Sequence, residues 1–201
     1  EYAHIIARLR KPHKRVIGYW KDPKTQDHIA VWERVCAGVA DAQDCLILRF
    51  GDQMNNVAVT DGDKVSFEQT LGYHVDYCCV SELMEYWKQV APADVDALVE
   101  EYHKLYKIVP CEAGEEIGKK KIWNAARAEL AIRACLKAKG AKGFTTNFDD
   151  LGSWGDPDAD DFVGFDQIPG LASQRLMAEG YGFGAEGDWK SAALYRTLWY
   201  M

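Results

Sequence analysis

The sequence predicts an α/β fold, in which helices flank a mainly parallel sheet. Short apolar runs typical of strands alternate along the chain with longer segments whose apolar residues recur at helical spacing. The run Cys45–Phe50 is almost unbroken in its apolar character, as expected for a strand covered on both faces in a parallel sheet. This alternation of strand and helix is typical of a parallel α/β domain.

The predicted strands lie where apolar and aromatic residues cluster between turn signals. In chain order they comprise residues 15–20, 45–50, 57–60, 73–80, 143–147 and 181–186. After the third of them, Asp61 and Gly62 are expected to form a turn, and Asp63 is placed to cap a helix.

The predicted helices are identified from apolar spacing and from the residues that start or stop them. The first presents one apolar face, made of Ile29, Trp32, Val35, Cys36 and Val39. The later helices run from the cap Ser81 to Trp87, from Pro92 to Leu105, over Glu115–Lys139 before Gly140, over 169–179, and from Trp189 behind the cap Asp188. The longest of them is expected to bury Ile122, Ala126, Leu130 and Ala134.

Composition argues against several classes of function. Apolar residues make up 48% of the chain and aromatic residues 12%, which is enough for a packed core. The net charge of −7 argues against a nucleic-acid partner, because phosphate binding needs clustered Lys and Arg. No apolar stretch of the sequence approaches the roughly 20 residues that span a bilayer. We therefore expect no membrane partner and a cytoplasmic location.

The six cysteines contain no CxxC pair. Cys78 and Cys79 are adjacent in a predicted strand, so their side chains should point to opposite faces of the sheet. This pattern favours buried, reduced thiols over a disulfide framework or a zinc site.

Four segments join glycines to carboxylates or amides where an apolar run ends, namely residues 49–54, 57–64, 143–148 and 184–190. In open parallel sheets, ligands bind beyond the carboxyl ends of the strands. Glu186 is the best candidate for catalysis, because small neighbours, Gly184 and Gly187, let a ligand approach closely. The residues alone leave open a capping or structural role for Glu186. For Asp188, a role as a helix cap is as plausible as a role in the site.

Residues 152–161 form an acidic segment that contains glycine. Asp156, Asp158 and Asp160 alternate as in a calcium loop, but no glycine and distal glutamate follow at EF-hand spacing. The segment is therefore expected to be a solvated surface loop.

Taken in order, the four polar segments resemble the middle of bacterial L-arabinose isomerases, and residues 124–130 and 169–177 extend the resemblance over nearly the whole chain. Family members are more than twice this length, so an interior piece of the enzyme is expected. The resemblance implies that residues 1–44 end a preceding α/β domain, and that residues 45–201 are a central α/β domain truncated at its last helix. It also implies isomerisation of L-arabinose to L-ribulose, with D-galactose to D-tagatose as a further reaction.

The resemblance also implies roles for individual residues. Glu186 matches the family's metal ligand and acid/base residue, and Asp188 matches a residue that supports the site. Met54 and Phe148 match apolar residues that contact the sugar. Ala185 stands where the family commonly has glycine. The implied cofactor is Mn²⁺ or another divalent cation that assists proton transfer through a cis-enediol. The remaining metal ligands, a glutamate and two histidines, would lie beyond Met201. The resemblance also implies a homo-oligomer, either a trimer or a hexamer. We therefore expect the 201 residues alone neither to bind metal tightly nor to convert sugar.

Two other interpretations are considered. An enzyme similar to L-fucose isomerase would share the architecture, but residues 51–54 and 186–190 favour the L-arabinose family. A non-catalytic sugar-binding module could use a similar sheet, with Glu186 as a hydrogen-bonding group only. Such pockets usually stack aromatic rings on the sugar, whereas most tryptophans here fall on predicted helices.

Overall fold

The computed structural model describes residues 2–151, 165 and 167–201. Within these residues the strands form one sheet of four, all parallel, in the order β2-β1-β3-β4. The strands are β1 (Cys45–Phe50), β2 (Tyr73–Cys78), β3 (Gly143–Thr146) and β4 (Gly182–Ala185). The predicted α/β fold with a parallel sheet is confirmed.

The register of the sheet brings the carboxyl ends of all four strands to one edge. Phe50, at the end of β1, pairs with Cys78 on one side and Thr146 on the other, and Thr146 pairs with Ala185. After β1 the chain forms β2 on one side of β1, whereas β3 and then β4 lie on the other side of β1. The strand order therefore reverses between β1 and β3, and ligands of such folds bind in the crevice at this reversal.

The helices are identified by their hydrogen bonding, and their bounds are as follows. They are α1 (Tyr2–Arg8), α2 (Pro23–Ala42), α3 (Lys64–Leu71), α4 (Val80–Gln89), α5 (Pro92–Leu105), α6 (Glu115–Lys139), α7 (Phe148–Leu151), α8 (Gly170–Ala178) and α9 (Trp189–Leu198). Among the described helices, none is both long and apolar enough to cross a membrane.

The core lies on both faces of the sheet. On one face, α4, α6 and α8 pack on Leu48, Phe50 and Phe144, which are fully buried. On the other, α2, α3 and α9 cover Ile47 and Tyr73. Because β1 is buried on both faces, its sequence shows the continuous apolar run from which it was predicted.

Asp41, on α2, anchors that helix to the sheet layer. Its carboxylate accepts hydrogen bonds from Arg196 on α9, at 2.7 Å, and from Lys142 just before β3, at 2.9 Å. Burial acts to raise the pKa of Asp41, but the hydrogen bonds from Arg196 and Lys142 outweigh it and lower this pKa to about 2. The carboxylate therefore stays charged near neutral pH and keeps its two partners.

Several predicted helix boundaries are confirmed. Pro92 begins α5, and α6 spans Glu115–Lys139 with Gly140 in the left-handed conformation behind it. Asp63 caps α3 by accepting a hydrogen bond from the backbone N–H of Ser66. Each of these signals acts on neighbouring residues: proline fixes φ, aspartate accepts a hydrogen bond, and glycine lacks a side chain. Such local effects can be predicted from the sequence.

Two predicted strands are wrong. Residues 15–20 pair with no strand of the described chain, and Ile17 is 95% exposed. Residues 58–60 form a short 3₁₀ turn instead of a strand. There, the backbone N–H and the hydroxyl of Thr60 both donate to the carbonyl of Val57. Apolar character alone does not make a strand, because the backbone also needs a neighbour with which to pair.

Some predictions of burial and capping are also wrong. Helix α4 begins at Val80 behind Cys79, so Ser81 lies inside it and does not cap it. Ala134 is exposed, because the buried face of α6 turns towards Ala131, Ile132 and Cys135 instead.

The apolar face predicted for α2 is mostly open. Ile29 is 40% and Val39 55% exposed, and Cys36 is exposed as well. All six cysteines are free thiols, as predicted, although they are not all buried. Cys45, Cys78 and Cys135 are buried, whereas Cys79 and Cys111 are half-buried. The acidic segment 152–161 lies outside the described residues.

Candidate functional site

Three loops leave the sheet at the edge where the strand order reverses. They follow β1 at Gly51, β3 at Asn147 and β4 at Glu186. The loop carrying Met54 contacts both of the others, because the N–H of Met54 donates to the carbonyl of Glu186 and the amide of Asn147 donates to the carbonyl of Asp52. Four separate parts of the sequence had suggested a polar site, and three of them meet at this edge.

Glu186 is half-buried and has φ of 61°, a left-handed conformation that side chains other than glycine rarely adopt. Two backbone hydrogen bonds hold the turn. The carbonyl of Glu186 accepts from the N–H of Met54 at 3.2 Å, and the N–H of Gly187 donates to the carbonyl of Thr146 at 3.0 Å. Strained backbone persists where its surroundings fix it, and such strain often occurs at functional sites.

The carboxylate of Glu186 makes no hydrogen bond or ion pair with the residues that the structure describes. The strained turn therefore carries a carboxylate that caps no helix and has no polar partner within that part of the chain. This observation favours a functional role for Glu186 over the structural one that the sequence had left open.

Met54 and Phe148 are both half-buried at this edge of the sheet. Met54 is tied to Glu186 by the backbone hydrogen bond, so these two residues keep a fixed spacing. Phe148 is the first residue of α7, immediately after β3. The three residues predicted for substrate and proton transfer thus lie on adjacent loops.

Asp188 caps α9, as predicted from the sequence. One of its carboxylate oxygens, Oδ1, accepts from the backbone N–H groups of Lys190 and Ser191, both at 3.1 Å, and Oδ2 accepts from the Ser191 hydroxyl at 2.7 Å. This cap fixes the point where α9 starts, three residues after Glu186. Asp188 therefore holds the backbone at the start of α9.

Charged side chains surround the loop after β1. The guanidinium of Arg49 donates to Gln53 at 3.1 Å and lies 3.1 Å from the carboxylate of Asp52. Lys190 donates to the carbonyls of Val59 and Asp61, so the segment before α3 is tied to α9.

Asp61 has its own cationic neighbour. Its carboxylate accepts a hydrogen bond from Lys64 at 3.0 Å. The hydrogen bonds from Lys64 and from the backbone N–H of Gly62 hold the pKa of the Asp61 carboxyl below its usual value.

The sequence did not single out Asn147 and Asp150. Asp150 accepts from the backbone N–H of Asp52 at 2.7 Å and from the amide of Asn147 at 2.7 Å. Asn147 also donates to the carbonyl of Asp52. Position at the end of β3 was a possible signal for Asn147, but its partner Asp52 lies on a loop 95 residues earlier and could not be inferred from spacing.

A divalent metal would need several ligands. No cluster of three or more His, Cys, Asp or Glu residues suited to a metal ion occurs in the described ranges. Glu186 fits as one oxygen ligand, but the described residues do not form a complete site by themselves.

A cavity of about 700 Å³ lies elsewhere, between α5, α6 and the segment joining them. Its lining is largely apolar and includes Val99, Ile108, Ile122 and Trp123. None of Met54, Phe148 and Glu186 lines it. This cavity is therefore separate from the edge where the polar loops meet.

Comparison with known protein families agrees with the resemblance seen in the sequence. Residues 46–201 match the L-arabinose isomerase central domain, and residues 1–44 match the L-arabinose isomerase N-terminal domain. The chain belongs to the L-arabinose isomerase family. As a member of this family it carries Glu186, Met54 and Phe148 within the match to the central domain.

Individual L-arabinose isomerases are similar to the chain over its whole length. The enzymes of Bacteroides thetaiotaomicron and Phocaeicola vulgatus are each 66% identical to it over 202 aligned residues, which cover 100% of the chain and 38% of the relative. The L-arabinose isomerase of Tolumonas auensis is 42% identical over 198 residues, covering 98% of the chain and 38% of the relative. The chain thus spans 38% of the length of these relatives.

Proposed function

We propose that the protein containing this chain isomerises L-arabinose to L-ribulose. The observation that carries the proposal is the Glu186 carboxylate, which stands on a strained turn at the ligand-binding edge without a partner among the described residues. The similarity to L-arabinose isomerases over the entire chain supports the choice of sugar. D-galactose, converted to D-tagatose, is proposed as a second substrate.

The reaction moves one hydrogen between neighbouring carbons of the sugar. A base removes the proton from C2 of the aldose while O1 takes up a proton, which gives the cis-enediol. The proton is then added to C1 of the enediol while O2 loses its hydroxyl proton, which gives the ketose. Glu186 is proposed to carry this proton. A carboxylate held within hydrogen-bond reach of the reacting carbon is a suitable acid and base for such a step. The hydrogen bond between the backbones of Glu186 and Met54, and the one between Gly187 and Thr146, keep Glu186 in place during the transfer.

The other residues are proposed to position the sugar. Met54 and Phe148 are proposed to offer apolar surface to the C–H faces of the sugar. Asp188 supports the site through its cap on α9. These roles agree with the places that the residues occupy at one edge of the sheet, on the loops after β1, β3 and β4.

A divalent cation, Mn²⁺ by preference, is proposed as the cofactor of the full-length protein. Such an ion would stabilise negative charge on the sugar oxygens. Glu186 would be one ligand, and the others would have to come from outside the described residues. We also propose that residues 1–44 end one α/β domain and residues 45–201 belong to the central one, in a cytoplasmic homo-oligomer, a trimer or hexamer.

The full-length protein, incubated with L-arabinose with and without Mn²⁺, tests this function. We expect L-ribulose to form, faster with the metal, and turnover of L-arabinose to exceed that of L-fucose. The matched comparison is the 201-residue chain, for which we expect no ketose and no tight Mn²⁺ binding in calorimetry. Absence of ketose from the full-length protein under both conditions would rule the proposal out.

A further inference from the structure

The loop after β1 is held by side chains from the loop after β3. Both backbone groups of Asp52 are engaged, since its N–H donates to the Asp150 carboxylate at 2.7 Å and its carbonyl accepts from the Asn147 amide. Asn147 is only 2% exposed. Its amide also donates to Asp150, and its oxygen accepts from the Asp150 N–H at 2.8 Å. We call Asn147 and Asp150 the clamp.

The clamp depends on a glycine. Gly51 has φ of 78°, and a Cβ built on it would lie 2.3 Å from Oδ2 of Asp150. A carboxylate oxygen so close leaves no room for any side chain at position 51. The missing Cβ lets Asp150 reach the backbone of Asp52, and the left-handed φ turns the chain out of β1 towards that contact.

The clamped segment leads directly to Glu186. After Asp52, the backbone of Gln53 packs against Gly187, where an added Cβ would lie 2.5 Å from the Gln53 Cα. The next residue, Met54, donates its N–H to the carbonyl of Glu186. A shift of the Asp52 backbone would therefore displace both Met54 and the turn that carries Glu186.

We propose that Asn147 and Asp150 are positioning residues for the isomerisation. Their hydrogen bonds to Asp52 set the distance between Met54, which contacts the sugar, and Glu186, which transfers the proton. This assignment rests on the function proposed above. Small displacements of catalytic groups cost large factors in rate, up to roughly 100-fold for about 1 Å, so a clamp that fixes two of the three loops matters for turnover.

The test uses variants of the full-length protein in which the clamp is removed or conserved. Asp150→Ala removes the acceptor, and Asn147→Ser removes the amide donor while keeping a hydroxyl that can cap α7. Asp150→Asn keeps an oxygen that can accept both hydrogen bonds. The matched control is Asp149→Asn, which neutralises the exposed neighbour of Asp150 in α7.

We expect Asp150→Ala and Asn147→Ser to lower kcat/KM for L-arabinose by roughly 10- to 100-fold, mainly through kcat. Hydrogen exchange should show that the Asp52 and Met54 amides lose protection in these two variants. Asp150→Asn should retain most of the activity and protection, and Asp149→Asn all of it. If Asp150→Ala does not fold, Asn147→Ser carries the comparison.

Two results would overturn the assignment separately. Folded Asp150→Ala and Asn147→Ser variants with the kcat of the unmodified protein would refute the clamp while leaving the isomerase function intact. An unmodified protein that forms no ketose would instead refute the proposed function, and with it the role of the clamp in catalysis.

Discussion

Replacing Glu186 by Gln in the full-length protein should lower kcat for L-arabinose by about 10²- to 10⁴-fold, the range typical of a lost acid/base group. The amide has nearly the same shape as the carboxylate but cannot accept and return the proton. Turnover measured as ketose formed per unit time, over a series of L-arabinose concentrations, separates this loss from a change in KM.

The fold should tolerate this change. The Glu186 side chain has no hydrogen bond or ion pair within the described part of the protein, so nothing there depends on its charge. Glu100→Gln is the matched control, since Glu100 is an exposed glutamate on α5 away from the sheet edge. The control should keep full activity. A sugar-binding module would show only weakened binding in Glu186→Gln, and an unchanged kcat would remove Glu186 from the mechanism.

Gly187→Ala is expected to cost stability as well as activity. Gly187 has φ of 80°, and its added Cβ would lie 2.5 Å from the Gln53 Cα and 3.0 Å from the carbonyl of Asp52. The left-handed conformation costs about 1–2 kcal/mol for alanine, and forced contact with backbone adds roughly 1–3 kcal/mol. We expect a total loss of about 2–5 kcal/mol, seen as a lower melting temperature, together with reduced turnover.

Gly140→Ala is the control that separates the cost of the left-handed conformation from the cost of the close contact. Gly140 has a similar φ of 68°, but a Cβ there meets nothing within 4 Å. This control should therefore lose only the conformational part, about 1–2 kcal/mol, and keep its activity. If the two variants melted at the same temperature, the close packing of Gly187 on the loop after β1 would be contradicted.

Features of the fold that are local in origin were predictable. Helix α6 was predicted with its observed bounds, because apolar residues recur at helical spacing over a long segment and Gly140 marks its end. Strand β1 was predicted because burial on both faces makes it apolar throughout. Residues 15–20 and 57–60 carry similar apolar character, yet neither forms a strand. Strand formation requires a pairing partner, and a single sequence does not show which segments pair.

The site was predictable to the same extent. Glu186 could be named as a candidate from its glycine neighbours at a strand end, and Asp188 could be predicted as a helix cap from its position before a helix. The clamp could not, because Asn147 and Asp150 act on Asp52 through contacts made only after the sheet brings their loops together. The left-handed φ of Glu186 could not be predicted either, because glutamate has no preference for this conformation.

We propose that the Glu186 carboxylate faces the sugar beside Met54 and Phe148. The most direct measurement is a crystal structure of the full-length protein with Mn²⁺ and L-arabitol, which has no carbonyl group to isomerise. We expect the Glu186 carboxylate to bind the metal, and the Met54 and Phe148 side chains to lie within about 4 Å of the bound carbon chain. A polyol bound elsewhere, with Glu186 directed away from it, would contradict the claim.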